Sequence, residues 1–355
     1  WVPQSSESLC DIELYLLKAG EIVVKGETNL PEAKKDLIGY LENSGRAFKD
    51  SISVLPDTAI VKKPWGLITL SVSNMRSNPS HSAEMVTQAI MGTPVKILKR
   101  RGGWLFIQTP DSYLGWTNNA AVYELSEAEM ADWRKADRVI YQRNYGDIIS
   151  SDGHVVSDLV YGAVVVKNGE QGGAYIVTLP DGRSGMIYKS DATEFGSWAE
   201  KTEPIAEDLL KTGFSLLGSP YLWGGTSSKG IDCSGYVKTI YFGSGVILAR
   251  DASSQFRYGK PVPVDNTLDS LLPGDLIFFG RNRDGEKAIT HVGMYIGDTE
   301  VIHSPGIIGV MSLDSTRVNY SDSRRRSVQG ARRIIGVTPG NGIVRISEHK
   351  WYFNI

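Results

Sequence analysis

Cys233, His291 and His303 are the residues whose types and order suit a covalent reaction. The chain has two cysteines, Cys10 and Cys233, and five histidines, His81, His154, His291, His303 and His349. A thiolate nucleophile needs a base within hydrogen-bond reach, and that base needs a third group to orient it. Cys233 follows a loop containing Gly224, Gly225 and Gly230 and precedes Val237, Ile240 and Tyr241 at helical spacing. This predicts that Cys233 opens a helix, where unpaired N–H groups and the positive end of the helix dipole favour the thiolate. Alone, such a Cys reads as a small buried hydrophobe. The downstream histidines argue for chemistry. In THVGMYIG, residues 290–297, His291, Gly293 and Tyr295 share one strand face, opposite Val292, Met294 and Ile296. A following strand, EVIH, brings His303 to where it can hold the second nitrogen of His291. An ordered Cys–His–His set of this kind suits nucleophilic acyl transfer.

The elements that must position these residues fall in a domain spanning 201–337. A helix over 205–217 leads into the Gly-rich loop and the Cys233 helix. An apolar strand at 275–279 follows the Pro273-Gly274 turn, and a Gly297-Asp298 turn joins the two His-bearing strands. One helix presenting a nucleophile to an antiparallel sheet is an α+β arrangement. Ahead of it lie two β-rich stretches. Residues 67–125 hold strands at 93–98, 104–108 and 113–116, with a Gly102-Gly103 turn, which suggests a small barrel. Residues 126–200 open with a helix over 126–135, where Ser126 and Glu129 can form a capping box. Strands are expected there at 139–142, 155–158, 163–166, 174–179 and 185–188. RSGMIYKSDA at 183–192 echoes YLGWTNNAAV at 113–122, with Met186 in the place of Trp116. Residues 1–66 read as a partly helical segment. One helix would carry Leu9, Ile12, Leu16 and Leu17, with Ser5 or Ser6 as cap and Gly20 as stop. A second would run from Pro31 to near Gly45, with Leu37, Tyr40 and Leu41 buried. The tail, 338–355, carries Trp351, Tyr352 and Phe353 and is expected to pack back on the body.

Composition narrows the function classes. At 355 residues the chain has room for two to four domains. A net charge of −2 implies no bulk attraction to nucleic acid. No apolar run reaches the roughly 20 residues needed to span a bilayer. Two cysteines exclude a disulfide framework, and a Cys10–Cys233 bridge would consume the nucleophile. No phosphate loop or metal-ligand spacing is present, so neither cofactor nor metal is expected. His81 reads as structural. The run Arg324-Arg325-Arg326 reads first as a solvated edge, with an anion site for carboxylates as the second reading.

The last domain resembles the NlpC-type cysteine peptidases, which are papain-like and cut peptidoglycan stem peptides. The residues that carry the resemblance are PYLWGG at 220–225, DCSG at 232–235, PGDLIFF at 273–279, HVGMYIG at 291–297 and IH at 302–303. It implies Cys233 as nucleophile, His291 as general base and His303 as the orienting residue. It also implies that Tyr221 helps polarise the scissile carbonyl, with the Cys233 backbone N–H as the other oxyanion donor. The stretch 67–125 resembles bacterial SH3-like domains, and 126–200 resembles a diverged second copy. The expected architecture is thus multidomain α+β: a partly helical N-terminal segment, two SH3-like β-barrels, then a papain-like catalytic domain.

Two SH3-like domains ahead of the peptidase resemble a narrower branch, the γ-D-glutamyl-L-diamino-acid endopeptidases. MRSNPSHSAEMVTQAIMG at 75–92 and DSYLGW at 111–116 follow its pattern. The resemblance implies that the first barrel walls off one end of the cleft through Glu84 and Tyr113. Asp232, Ser234, Asp251, Ala252 and Ser253 would make the other substrate contacts. The implied partners are murein peptides, L-Ala-γ-D-Glu-diamino acid, cut by a monomer without a cofactor. The diamino acid is meso-diaminopimelate or lysine. Two rivals remain open at this point: a wall-tethered enzyme acting on intact peptidoglycan, and a non-catalytic wall-binding protein. Trp1 rather than Met at the start fits an exported protein whose signal was removed, with a cytoplasmic location as the alternative.

Overall fold

A computed structural model describes residues 6–17, 21–265, 267–283, 285–340 and 342–355. Near the N-terminus, the strand Cys10–Leu16 pairs antiparallel with Ile22–Thr28, which pairs in parallel with Phe48–Val54. The helix Pro31–Asn43 links the two parallel strands, and Pro31 occupies its first turn. This corrects the helix expected over residues 9–17. Only Leu9 and Ile12 of its apolar set pack against cores, while Leu16 and Leu17 are exposed. The β-branched neighbour IVVKGET recruits the segment as a strand, so tertiary pairing overrides helical spacing. Ser6 therefore caps no helix there. Ser5 and Gly20 lie outside the described residues. In the helix that does form, Leu37 and Leu41 face the core and Tyr40 faces out.

Two seven-stranded sheets follow. The first uses Trp65–Ile68, Val72–Arg76, Met85–Ile90, Pro94–Arg101, Trp104–Gln108, Leu114–Asn118 and Val122–Leu125. The second uses Arg138–Tyr141, Tyr145–Ile149, Val155–Val160, Val164–Gln171, Ala174–Thr178, Ser184–Tyr188 and Ala192–Glu194. Numbered within each unit, both have strand order 7-1-4-5-6-2-3. They are two copies of one SH3-like topology. Trp116 bridges Phe106 and Arg76, while Met186 bridges Ile176 and Ile149, so Met186 stands in the Trp116 position. The helix Glu127–Lys135 between them begins with the complete Ser126–Glu129 capping box.

The last unit is an antiparallel six-stranded sheet faced by helices. Its strands, in spatial order, are Lys260–Val262, Val328–Arg333, Leu276–Arg283, Glu286–Gly297, Glu300–His303 and Gly309–Ser312. The helix Cys233–Gly243 lays Tyr236, Val237 and Ile240 on Leu276, Phe278, Val292 and Met294, closing one core. Phe279, Tyr295 and Val301 form a second core on the other sheet face. The tail strand Ile343–Arg345 pairs with Val246–Leu248, which follows the Cys233 helix. Beyond it, Tyr352 enters a core built from Trp65 and Leu67 of the first barrel, Ile140 and Val164 of the second, Ile247, and the linking helices.

Candidate active site

The loop before Cys233 is held at several points. Pro220 bridges Ile307, and Thr226–Ser227 pairs with Gly230–Ile231. Asp232 then caps the helix, accepting from the Gly235 N–H at 2.7 Å. Gly235 is required by space, because a Cβ there would sit 2.0 Å from the Gly225 carbonyl oxygen. Cys233 is thus the first helical residue, buried at 8% exposure and packed against the strand Glu286–Gly297.

On that strand His291 is buried, and its Nε2 lies 2.8 Å from Nδ1 of the equally buried His303. The close pairing depends on Gly293, where a Cβ would come within 2.9 Å of the His303 Cβ. For His291 to act as a base toward sulfur, its free lone pair must sit on Nδ1. The hydrogen-bond network then assigns its proton to Nε2, donated to His303 Nδ1. Cys233 and His291 are not hydrogen-bonded to each other here. The sulfur is influenced instead by the N–H of Val292, the next residue on the strand. Such pairs commonly tighten only once a substrate is bound.

Burial and the helix terminus act on the thiol in opposite senses. Burial pushes the Cys233 thiol up, and Asp232 pushes it further. The Val292 and Ser234 N–H groups and Arg250 act the other way without prevailing. His291 is held well below the ordinary imidazole range, first by burial, then by Arg324 and His303. Burial of both groups thus opposes the thiolate that the helix terminus favours. Tyr221, half-buried beside Cys233, is raised to about 12 by burial and by Cys233 and Asp232, so its hydroxyl remains a donor.

The histidine pair has a consequence for stability. Burial lowers His303 from 6.5 to about 4. Below pH 6.5 the unfolded chain takes up protons that the folded chain refuses, so stability falls with pH through the window from about 6.5 to about 4. Urea unfolding between those limits should show a loss of up to about 3 kcal/mol from this residue. A His303→Gln variant should have a flatter profile, and an unchanged slope would contradict the assignment.

The remaining expected contacts divide into two groups. Asp232 and Ser234 turn inward. Asp232 accepts from Arg250, from the Gly224 and Gly235 N–H groups and from Ser234, while Ser234 also accepts from Arg250. The Asp232 carboxylate is thus already paired with a buried cation, Arg250. The second group stands at the seam with the first barrel. The Tyr113 hydroxyl donates to Asp251 at 3.4 Å, and Ser6 donates to the other Asp251 oxygen at 2.8 Å. Asp251 precedes the short helix Ala252–Gln255, with Ala252 half-buried and Ser253 exposed. Glu84 lies farther out and accepts from the Trp223 indole at 2.8 Å. Gln88 and Thr87 of the same barrel strand hold Thr226, Ser227 and Arg250, so that strand forms one flank of the site. Sequence reasoning named the segment 250–253 but not the buried pairing of Arg250 with Asp232, and it did not foresee Arg324 beside the histidines or Ser6 at Asp251.

Comparison with known proteins agrees with this geometry. The NlpC/P60 family profile matches residues 218–329, and a bacterial dipeptidyl-peptidase Sh3 domain matches 75–122. A γ-D-glutamyl-L-lysine dipeptidyl-peptidase of Bacillus cereus is 33% identical over 240 residues, covering 64% of this chain and 69% of that protein. The chain belongs to the NlpC/P60 family. It is a cysteine peptidase with SH3-like domains. The Bacillus subtilis protein of the same name is 31% identical over 227 residues, covering 62% and 72%. A crystal structure of a Bacillus cereus NlpC/P60 family protein superposes with a TM-score of 0.66 at 26% identity, covering 76% of this chain and 99% of that one.

Proposed function

We propose that this NlpC/P60 enzyme hydrolyses the γ-D-glutamyl–diamino acid bond of murein stem peptides whose N-terminal L-Ala is free. In the reaction, His291 takes the Cys233 proton as sulfur attacks the scissile carbonyl. The Cys233 N–H and the Tyr221 hydroxyl receive the oxyanion. The imidazolium, stabilised by His303, then protonates the departing amine. Water, deprotonated by His291, cleaves the thioester and restores the thiol. The related Bacillus enzymes, named for γ-D-glutamyl-L-lysine cleavage, support the bond assignment.

The observation that carries the free-amine reading is Asp251 at the barrel seam, bonded by Tyr113 and Ser6. An alanine ammonium in a closed cleft end is costly unless a carboxylate pairs with it. Asp232 is occupied by Arg250, which leaves Asp251 and Glu84 to supply that charge. In intact peptidoglycan the same nitrogen is an uncharged amide carrying the sugar, so the acidic end attracts one substrate and excludes the other. The test is kcat/KM on L-Ala-γ-D-Glu-L-Lys against its N-acetylated form. A preference of about a hundredfold is expected for the free amine, reduced at least tenfold by Asp251→Asn. Equal values would favour a wall-tethered enzyme acting on intact murein.

A further inference from the structure

Of the two sequence readings of the basic run, solvated edge or anion site, the fold favours the second for Arg324. It lies on the short helix Asp322–Arg326, half-buried, with its guanidinium carbon 5.6 Å from the centre of the Phe279 ring. Phe279 is the cross-strand partner of His291, and their rings are 5.7 Å apart. The charge acts on His291, on His303 and on Cys233. The neighbouring cations face other partners: Arg325 donates to the Asp265 carbonyl, and Arg326 pairs with Asp322. Among the described residues Arg324 has no hydrogen-bond acceptor and no carboxylate. Burial costs this guanidinium, as the lowering of its pKa reflects; Cys233 acts the other way, and the ring of Phe279 lies against the cation. A planar fork of donors beside a reacting centre, without an acid of its own, suits a carboxylate brought by the substrate.

The side of the cleft identifies which carboxylate. The base that removes the thiol proton returns it to the leaving amine, so the histidine side of Cys233 is the leaving-group side. Tyr221, Asp232 and Arg250 form the other neighbourhood of Cys233, continuous through Thr87 with the barrel. Arg324 stands with the histidines. We propose that Arg324 binds a carboxylate of the diamino acid in the leaving group, which makes it a specificity-determining residue on the side opposite the barrel. This rests on the reading above that the bond cut joins γ-D-Glu to a diamino acid. Lysine at the peptide end offers one α-carboxylate, and diaminopimelate offers a second on its side chain.

The experiment compares wild-type protein, Arg324→Ala, Arg324→Lys and Arg326→Ala on three peptides. These are L-Ala-γ-D-Glu-L-Lys as the acid, the same peptide as its C-terminal amide, and L-Ala-γ-D-Glu-meso-diaminopimelate amidated at its α-carboxyl. For wild type, a preference of about ten- to a hundredfold in kcat/KM for a carboxylate-bearing peptide over lysine amide is expected. Lysine acid over lysine amide identifies the α-carboxylate. The diaminopimelate amide over lysine amide identifies the side-chain carboxylate. The preference should collapse toward unity in Arg324→Ala, recover in part in Arg324→Lys, and persist in Arg326→Ala. If wild type cuts all three alike, or if Arg324→Ala slows all three by one factor, the carboxylate subsite is overturned while the γ-D-glutamyl reading stands. If wild type cuts none, that reading fails instead. Thiol alkylation against pH, run on the same variants, separates the subsite from a general effect on Cys233. A uniform rate loss accompanied by a raised thiol pKa assigns Arg324 to the nucleophile and overturns the proposal.

Discussion

Cys233→Ala is expected to reduce kcat by about a millionfold, and His291→Ala by a comparable factor, with the double variant no worse than either. Non-additivity is the informative part. Neither residue is poised without the other: burial raises the thiol, so sulfur needs His291 to take its proton, and burial also keeps that imidazole neutral and able to accept it. His303→Ala should cost less, because it orients His291 through a single hydrogen bond and transfers no proton itself. Cys10→Ala should leave turnover unaltered, since Cys10 sits on an N-terminal strand apart from the catalytic sheet. Single-turnover assays on a stem peptide, with unfolding midpoints to verify folding, would measure all five variants. Residual turnover in Cys233→Ala, or losses that multiply in the double variant, would rule out the unit described here.

The largest effect on stability is expected at Arg250. Its guanidinium is fully buried and pairs with Asp232 at 2.6 Å, with side-chain exposures of 2% and 8%. Replacing it with Ala leaves the Asp232 carboxylate buried without its countercharge, which should cost about 3–5 kcal/mol. The same change removes the bond to Thr87, so it loosens the barrel flank as well as the helix cap. Urea unfolding of Arg250→Ala, Asp232→Asn and the pair would give the coupling energy. A loss below about 1 kcal/mol for Arg250→Ala would mean that water reaches the pair after all.

The residues of the site were legible in sequence wherever their geometry is local. A glycine loop, a cap residue and a Cys at the first helical position are neighbours in the chain, and strand alternation puts His291 and His303 on one face. The barrels were legible because turns and short strands recur, and the second copy retains its register down to Met186. What stayed hidden depends on distant parts of the chain. Residues 10–16 became a strand because 22–28 offered them an edge. Arg250 is paired with Asp232 and tied to Thr87, and Arg324 reaches His291 across Phe279. The opposing influence on the thiol was hidden for the same reason: the helix end is local, but the burial that pushes the thiol up comes from the whole domain.

The core that receives Tyr352 has no single owner. Trp65 and Leu67 from one barrel, Ile140 and Val164 from the other, and Ile247 from the stretch behind the nucleophile helix all contribute to it. Selection on such a chain cannot act on its parts one at a time. A barrel exchanged for another lineage's must bring a matching surface for the tail, and a drifting residue in that core is felt by the peptidase and by both barrels together. The barrels and the peptidase domain, sharing that core, are therefore inherited as one piece.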